Sequence, residues 1–521
     1  MSSGRFRRVG ALIGALSVLA ACGSGGSGDD ASSASAVDAD LQAGVKDALG
    51  ATSTSVAELP ASIEEWEELW AGQRAAIVER IRSNGWGKTA DGTKVVGPEG
   101  YTVDLTKCPA GWSDTEGLTD TTIKVGHTGP QSGPVADAGN LMVTLDALFA
   151  HHNARGGFTD SEGKTRRAQV VVRDDAYDPA RTIPLIDELL DSERVFAIGT
   201  VGTPNQVKVF GKINARCVPY PAISGHSSVG DPVGHPWTTS SSISYTSEAL
   251  LIGQFVEDRL DGEFGGDAKV AVLFTANDFG TAFDQGFKSF LAGSARRADI
   301  EYVTQAAEPG ASTVKDQMTT LAAEKPDVFV AALAGTACAQ VITEASENGM
   351  KEEVPYKMLN SACKGSSVRP ATMGGAADGW YAVSGGYLDM ASASAEGDPW
   401  MTYARSVLAE SGLDYKASAA FNTGFFYMWP WIQALQIAGE LDGGLTRTNF
   451  NLAWRTMDMT HPHLYQGVKY NMDGNADAFF VEGSDFSRWS DAAGSWELVT
   501  VVDVSGKTKN CLWNDTTATC G

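Results

Sequence analysis

Long apolar runs are scarce in this sequence. Past residue 19 no segment offers the ~18 uninterrupted apolar residues that a helical membrane span needs. Basic residues are also in short supply: 40 Lys and Arg stand against 64 Asp and Glu, a formal net charge of −24. A field of that sign repels nucleic acid and anionic membranes, but it says little about a small ligand, which feels its own site. Catalytic motifs are missing as well. There is no Walker A motif and no GxGxxG in a dinucleotide-binding context. Gly225-His226-Ser227-Ser228-Val229 lacks the last glycine of a nucleophile elbow and precedes no evident helix. No CxxC or Cys/His cluster supports a metal, and neither His151-His152 nor His461-Pro462-His463 has the i, i+4 spacing and carboxylate partner of a zinc site. Asp473 and Asp477 lack the spacing and terminal Glu of an EF-hand loop and read as a turn. The sequence therefore points to no enzyme, no metal and no cofactor.

What is present begins with an export signal. Arg5, Arg7 and Arg8 precede an apolar run, Val9 to Leu19, that is too short to span a bilayer. The run ends in Leu19-Ala20-Ala21-Cys22-Gly23, which resembles the bacterial lipobox, whose cysteine is lipidated. Residues 1–22 are thus expected to be a lipoprotein signal peptide and the Gly/Ser/Asp/Ala-rich residues 23–37 a flexible tether. With Cys22 assigned to lipid, six of the seven cysteines remain, an even number that suggests three disulfides in an exported protein. Among the several pairings open to them, we expect Cys511 with Cys520 as a local loop, Cys338 with Cys363 across neighbouring strand ends, and Cys108 with Cys217 by elimination.

The chain of 521 residues exceeds what one hydrophobic core usually holds. Asp38 to Trp86 is helical in pattern, with Trp66, Leu69, Trp70, Ile77 and Ile81 on one apolar face. It reads either as a cap packed on the main body or as a docking module. Lys88 to Asp120 is turn-rich and reads as a connector. From Thr121 strands alternate with helices: strands at Thr122 to His127, Ala168 to Arg173 and Val218 to Ile223, helices at Leu141 to Asn153 and Pro179 to Leu190. A second alternating series runs from Tyr245 to Leu359. Helices follow at Pro399 to Ala409 and Ala420 to Gly439, then a strand and turn from Gly467. Two doubly wound α/β units side by side are expected, with a ligand cleft between them.

The stretch that organises the series is Val195-Phe196-Ala197-Ile198-Gly199-Thr200-Val201-Gly202-Thr203-Pro204-Asn205, a buried strand entering a small-residue turn. It opens a helix with Thr203 as the expected N-cap and Pro204 at the first helical position. Free backbone N–H groups at such a strand end favour small anionic groups.

Several landmarks between Thr121 and Asp477 resemble, in order, the type I periplasmic binding proteins of branched-chain amino acid ABC transporters. They are Ile123-Lys124-Val125-Gly126, Gly129-Pro130-Gln131-Ser132-Gly133-Pro134, His152-Asn153-Ala154-Arg155-Gly156-Gly157-Phe158 and Asp174-Asp175-Ala176-Tyr177-Asp178-Pro179. The resemblance implies an N-terminal helical extension and connector (38–118), a first lobe (119–241 and 385–457) and a second (242–384 and 458–521), joined by three hinge crossings. It implies a carboxylate site at Gly202 and Thr203, completed by the Ala222 backbone and the Ser224 hydroxyl. Gln131 and Ser132 would contact ligand from the first loop, or else form a solvated turn. Where the family's amino-acid binders place an acid for the ligand ammonium, this sequence has Ser361. Family aromatic positions fall on Ala138 and about Ala334, while Phe279 and Phe421 are aromatic and serve either the pocket or the core. A buried ammonium without its carboxylate forfeits roughly 1.5–3 kcal/mol. A roomier pocket for something other than plain Leu, Ile or Val is therefore expected. The function implied is a lipid-anchored, extracytoplasmic, monomeric protein that delivers a small carboxylate-bearing solute (amino acid, amide or related organic acid) to an ABC importer. The alternative is a ligand sensor signalling to a membrane partner.

Overall fold

The computed structural model describes residues 39–50 and 59–520, apart from 509, 515 and 518. The expected signal peptide, tether and lipidated Cys22 lie outside the described residues. The first elements are α1 (Ala39–Gly50) and α2 (Ile63–Ser83). Ser62 caps α2 by accepting from the Glu65 N–H, and the Glu65 carboxylate accepts in return from the Ala61 N–H at 2.7 Å. Trp66, Trp70, Arg74, Ile77, Val78 and Ile81 are buried at helical spacing. Trp70 stacks on Trp66, meets Trp400 edge to face at 5.8 Å and donates its indole N–H to the Thr460 carbonyl. The apolar face is thus spent on the body, as a cap requires. Leu69 is only partly buried. In α1, Leu41 and Val45 are buried, and Gln42 donates to the Phe290 carbonyl.

Residues 88–120 are more than a connector. β1 (Gly87–Lys88), β2 (Lys94–Val96) and β3 (Thr102–Asp104) form an antiparallel sheet. Buried Tyr101 beside it donates to the Pro236 carbonyl at 2.7 Å. These strands are too short to carry a visible alternation, so turn residues dominate their sequence.

The first α/β half follows as β4 (Thr122–Gly129), α3 (Asn140–Ala154), β5 (Phe158–Thr159), β6 (Thr165–Asp174), α4 (Pro179–Asp187), β7 (Ala197–Thr200), α5 (Thr203–Ala215), β8 (Tyr220–Ala222) and β9 (Thr238–Ser240). Its sheet runs β5-β6-β4-β7, with β4 parallel to β6 and β7. β8 lies beside β7 through the Ile198 N–H to Pro219 carbonyl bond and a parallel bridge between Val201 and Ile223.

The second half holds α6 (Tyr245–Glu257), β10 (Ala268–Thr275), α7 (Asp278–Gly293), β11 (Ile300–Ala307), α8 (Lys315–Ala323), β12 (Val328–Ala332), α9 (Thr336–Glu347), α10 (Met350–Glu353), β13 (Tyr356–Leu359), α11 (Ser361–Ser366) and β14 (Tyr381–Val383). The chain then returns to the first half as α12 (Pro399–Glu410), α13 (Ala420–Glu440) and α14 (Arg447–Arg455). α13 lies close against α3, and a Cβ at Gly424 would strike the Thr144 side chain. β15 (Gly483–Ser490) and β16 (Ser495–Asp503) complete the second sheet, in the order β11-β10-β12-β13-β14-β15-β16, parallel up to β14 and antiparallel after it. The short hairpin β17 (Trp513–Asn514) and β18 (Thr519–Cys520) ends the description.

Two stretches differ from expectation. Gly467 to Tyr470 is no strand: Tyr470 is buried, stacked on Phe480 and bonded through its hydroxyl to Ser241. Of residues 458–521, expected in the second lobe, only β15 and β16 pair with the second sheet. Met472, Gly474 and Phe480 bond to Met457, Arg455 and Ser240 of the first half, and Cys511 bonds to Gly230. Cystines join Cys108 to Cys217, Cys338 to Cys363 and Cys511 to Cys520. Among the described residues no helix is long and apolar enough to cross a membrane.

Candidate functional site

The carboxyl ends of both sheets face one cleft. It contains about 810 Å³ of space between atoms, part of it open to solvent. One wall begins where β7 turns into α5. Gly202 has φ +101°, and a Cβ there would sit 2.5 Å from the Tyr177 ring, so only glycine fits without strain. Gly202 is also the cap of α5, in place of Thr203, which is the first helical residue and makes no side-chain cap bond. The Thr203 hydroxyl instead meets the Ser224 hydroxyl at 3.0 Å and the Tyr245 hydroxyl at 2.8 Å. Three hydroxyl hydrogens serve two bonds, so one O–H is left over: at Ser224 or Tyr245 if Thr203 donates to it, or at Thr203 if Thr203 accepts from both. Replacing Gly202 by Ala is expected to cost about 1–3 kcal/mol of stability in urea titration through φ strain and contact with Tyr177. An unchanged midpoint would mean that the turn relaxes.

Tyr177 is held over this turn by a strained backbone. Ala176 and Tyr177 have φ of 51° and 65°. Asp174 accepts from the Ala176 N–H, and Asp175 accepts from the Tyr177 N–H, the Thr182 hydroxyl and the Asn205 amide. Gln131 and Ser132, expected to reach ligand, are exposed and spend the Gln131 N–H and Ser132 hydroxyl on Asp174. These two bonds tie the first loop to Asp174.

The opposite wall comes from α7 and α11. Asn277 caps α7 by accepting from the Phe279 and Gly280 N–H groups, which points Phe279 edge to face at Tyr245, with 4.9 Å between ring centres. Ser361 opens α11 and gives its N–H to Glu248 of α6 at 2.6 Å, while its carbonyl accepts from the Tyr387 hydroxyl. Glu248 is fully buried, and burial pushes its carboxyl up to about 8, against which the Ser361 bonds pull only in part. The floor is Ser384 and Gly385, fixed by the buried pair of Lys364 and Asp485. Lys364 Nζ donates to Asp485 at 2.7 Å, Ser384 at 2.9 Å and the Tyr387 carbonyl at 3.2 Å.

Of the residues proposed from sequence, Gly202, Thr203, Phe279 and Ser361 line the cleft. Ala222 and Ser224 lie behind it, buried under Thr203, where Ser224 accepts from the His226 N–H. Phe421 belongs to the core, while Thr423, Phe426 and Tyr427 present the facing stripe of α13 at i, i+3 and i+4 spacing. Ala138 and Ala334 line the cleft without filling it. Sequence reasoning missed four tyrosines: Tyr177, Tyr245, Tyr387 and Tyr427. Burial pushes all four hydroxyls up, so they stay neutral donors. Among the described residues, no side chain lining this cleft carries a charge at neutral pH. Among the described residues no group of three potential metal ligands occurs.

A sequence profile described as Periplasmic binding protein matches residues 122–491. Among solved structures, a fatty acid ABC transporter substrate-binding protein from Thermomonospora curvata is similar at 18% identity, covering 77% of this chain and 97% of its own, with a TM-score of 0.61. A branched chain amino acid ABC transporter protein from Thermus thermophilus with bound valine is similar at 17% identity, covering 75% and 98%, with a TM-score of 0.62. A solute binding protein of an ABC transporter from Rhodopseudomonas palustris BisB5, in complex with 3,4-dihydroxy benzoic acid, matches at 19% identity, 75% and 100% coverage and a TM-score of 0.59. No curated protein matches.

Proposed function

Because the chain belongs to the periplasmic binding protein family, we propose that it captures a small carboxylate-bearing solute between its two halves and delivers it to an ABC importer. The observation that carries this reading is the cleft itself. Gly202, Thr203 and Tyr177 stand on one half and Phe279 and Ser361 on the other, around an uncharged, hydroxyl-rich space. Such a lining binds, orients and desolvates a small organic molecule. Gly202, Thr203, Phe279 and Ser361 are proposed as ligand contacts, joined by the four tyrosines. Ser224 is a positioning residue for Thr203. Ala138 and Ala334, where family members carry aromatic side chains, leave room for a solute bulkier than valine. The relatives with bound valine and 3,4-dihydroxy benzoic acid both hold carboxylic acids, which supports that ligand class.

The same reading places the protein outside the cytoplasm as a monomer, tethered through lipidated Cys22, with a permease as its membrane partner. The apolar face of α2, which would have served a signalling partner, is buried on the body.

Purified protein lacking residues 1–22 is expected to gain thermal stability from members of a panel of amino acids, amides, and aromatic and aliphatic carboxylic acids. At a hundredfold excess over Kd, the gain is about 2.7 kcal/mol. Stabilisation by no member of the panel, or chemical turnover of a bound compound, would overturn the reading.

A further inference from the structure

A second cavity, with about 780 Å³ between atoms, part of it open to solvent, adjoins the cleft. Val135, Ala138 and Gly335 line both spaces. Resting on the solute-binding reading above, we propose that Arg369 in this outer cavity receives the anionic group of the solute, while the uncharged body of the solute lies in the tyrosine-lined cleft. The substrate class is then an elongated monocarboxylate with an aryl or alkyl body.

Three observations carry this. First, Arg369 is half-buried and lines the outer cavity, yet its guanidinium has no hydrogen bond or ion pair among the described residues. Its five N–H groups match a carboxylate in two-point geometry, and partial desolvation makes that match worth more than in open water. Second, among the described residues the inner cleft offers no competing cation, and its Thr203 hydroxyl is already engaged by Ser224 and Tyr245. In a chain of net charge −24, a solute anion needs a local positive site. Third, the side chain is presented by a braced loop. The Arg369 carbonyl accepts from the Thr372 N–H and hydroxyl, Pro370 restricts the backbone, and Val368 bonds to Cys363, which is tied to α9 through Cys338. The other charged side chain of the outer cavity is Asp137, which accepts from Asn140 and forms no ion pair with Arg369. It disfavours a second negative charge on the solute.

The test uses matched acid and amide pairs, 3-phenylpropanoic acid with 3-phenylpropanamide and octanoic acid with octanamide, titrated calorimetrically into the protein without residues 1–22. Wild type is expected to prefer the acid. Arg369→Gln should lower acid affinity about ten- to a hundredfold and leave amide affinity unchanged, with Arg369→Lys in between. Thr203→Val should weaken acid and amide alike. If Arg369→Gln leaves the acid-to-amide ratio at its wild-type value, the anion subsite is wrong while the solute-binding reading stands. If Asp137→Asn weakens acid and amide as much as Arg369→Gln does, Arg369 is a latch between the halves and the subsite is likewise rejected. If wild type binds no carboxylic acid at all, the carboxylate reading itself fails, and the subsite with it.

Discussion

Glu248→Gln is expected to make the protein more stable than wild type above pH 8, and no more stable at pH 4. The Glu248 carboxyl is raised from 4.5 to about 8 by burial, so the folded state keeps its proton where the unfolded chain has released it. Stability from this group is fully present below about 4.5, declines as pH rises towards 8 and is gone above it. At about 1.4 kcal/mol per pH unit the full difference is on the order of 5 kcal/mol. The substituted side-chain amide would retain an acceptor for the Ser361 N–H and has no proton to lose. Other groups shape the wild-type curve: Glu482 is raised to about 7 by burial, whereas His127, His152 and His226 are lowered to about 4 by burial and act in the opposite sense. Only the difference between the two proteins isolates Glu248. Urea titrations at pH 5 and pH 8.5 that give the same difference at both would show that Glu248 is ionised in the folded protein.

Lys364→Met is expected to cost about 3–5 kcal/mol, because it leaves the fully buried Asp485 carboxylate without its counter-charge. Asp485 would keep the Gly386 N–H and the Ser384 and Ser487 hydroxyls as donors, which lessens the loss without replacing a charge. Lys364→Met combined with Asp485→Asn should recover a large part of the loss, since an amide is far cheaper to bury than an unpaired carboxylate. Equal destabilisation of the single and double variants would show that lost packing of the lysine stem, not charge, sets the cost. Ser384, Gly385 and Tyr387 line the cleft, so the single variant should also weaken solute binding.

The two halves were legible because strands such as Val328–Ala332 are buried on both faces and read as unbroken apolar runs, punctuated by helices of clear period. The β15–β16 hairpin escaped notice for the opposite reason. Ser484, Asp485 and Ser487 are buried polar residues, satisfied by Lys364, Ser384 and the backbone of 384–386, so the strand lacks an apolar signature. Phe421 illustrates a finer failure. An aromatic at the right place in a helix cannot be assigned a face until its neighbours are known, and here the cleft takes Thr423, Phe426 and Tyr427.

By itself the sequence determined the alternating α/β order, the strand-to-helix turn at Gly202 and the absence of an acid at Ser361, since each depends on residues adjacent in the chain. Tertiary structure alone decided what surrounds them. It brought Tyr177 over Gly202 and Tyr245 onto Thr203, placed the Glu248 carboxyl behind Ser361, and left the Arg369 guanidinium without a hydrogen bond or ion pair among the described residues in the adjoining cavity. These partners are far apart in the chain, and hydrogen bonding and burial across such separations follow from how the sheets and helices pack, which no local pattern records.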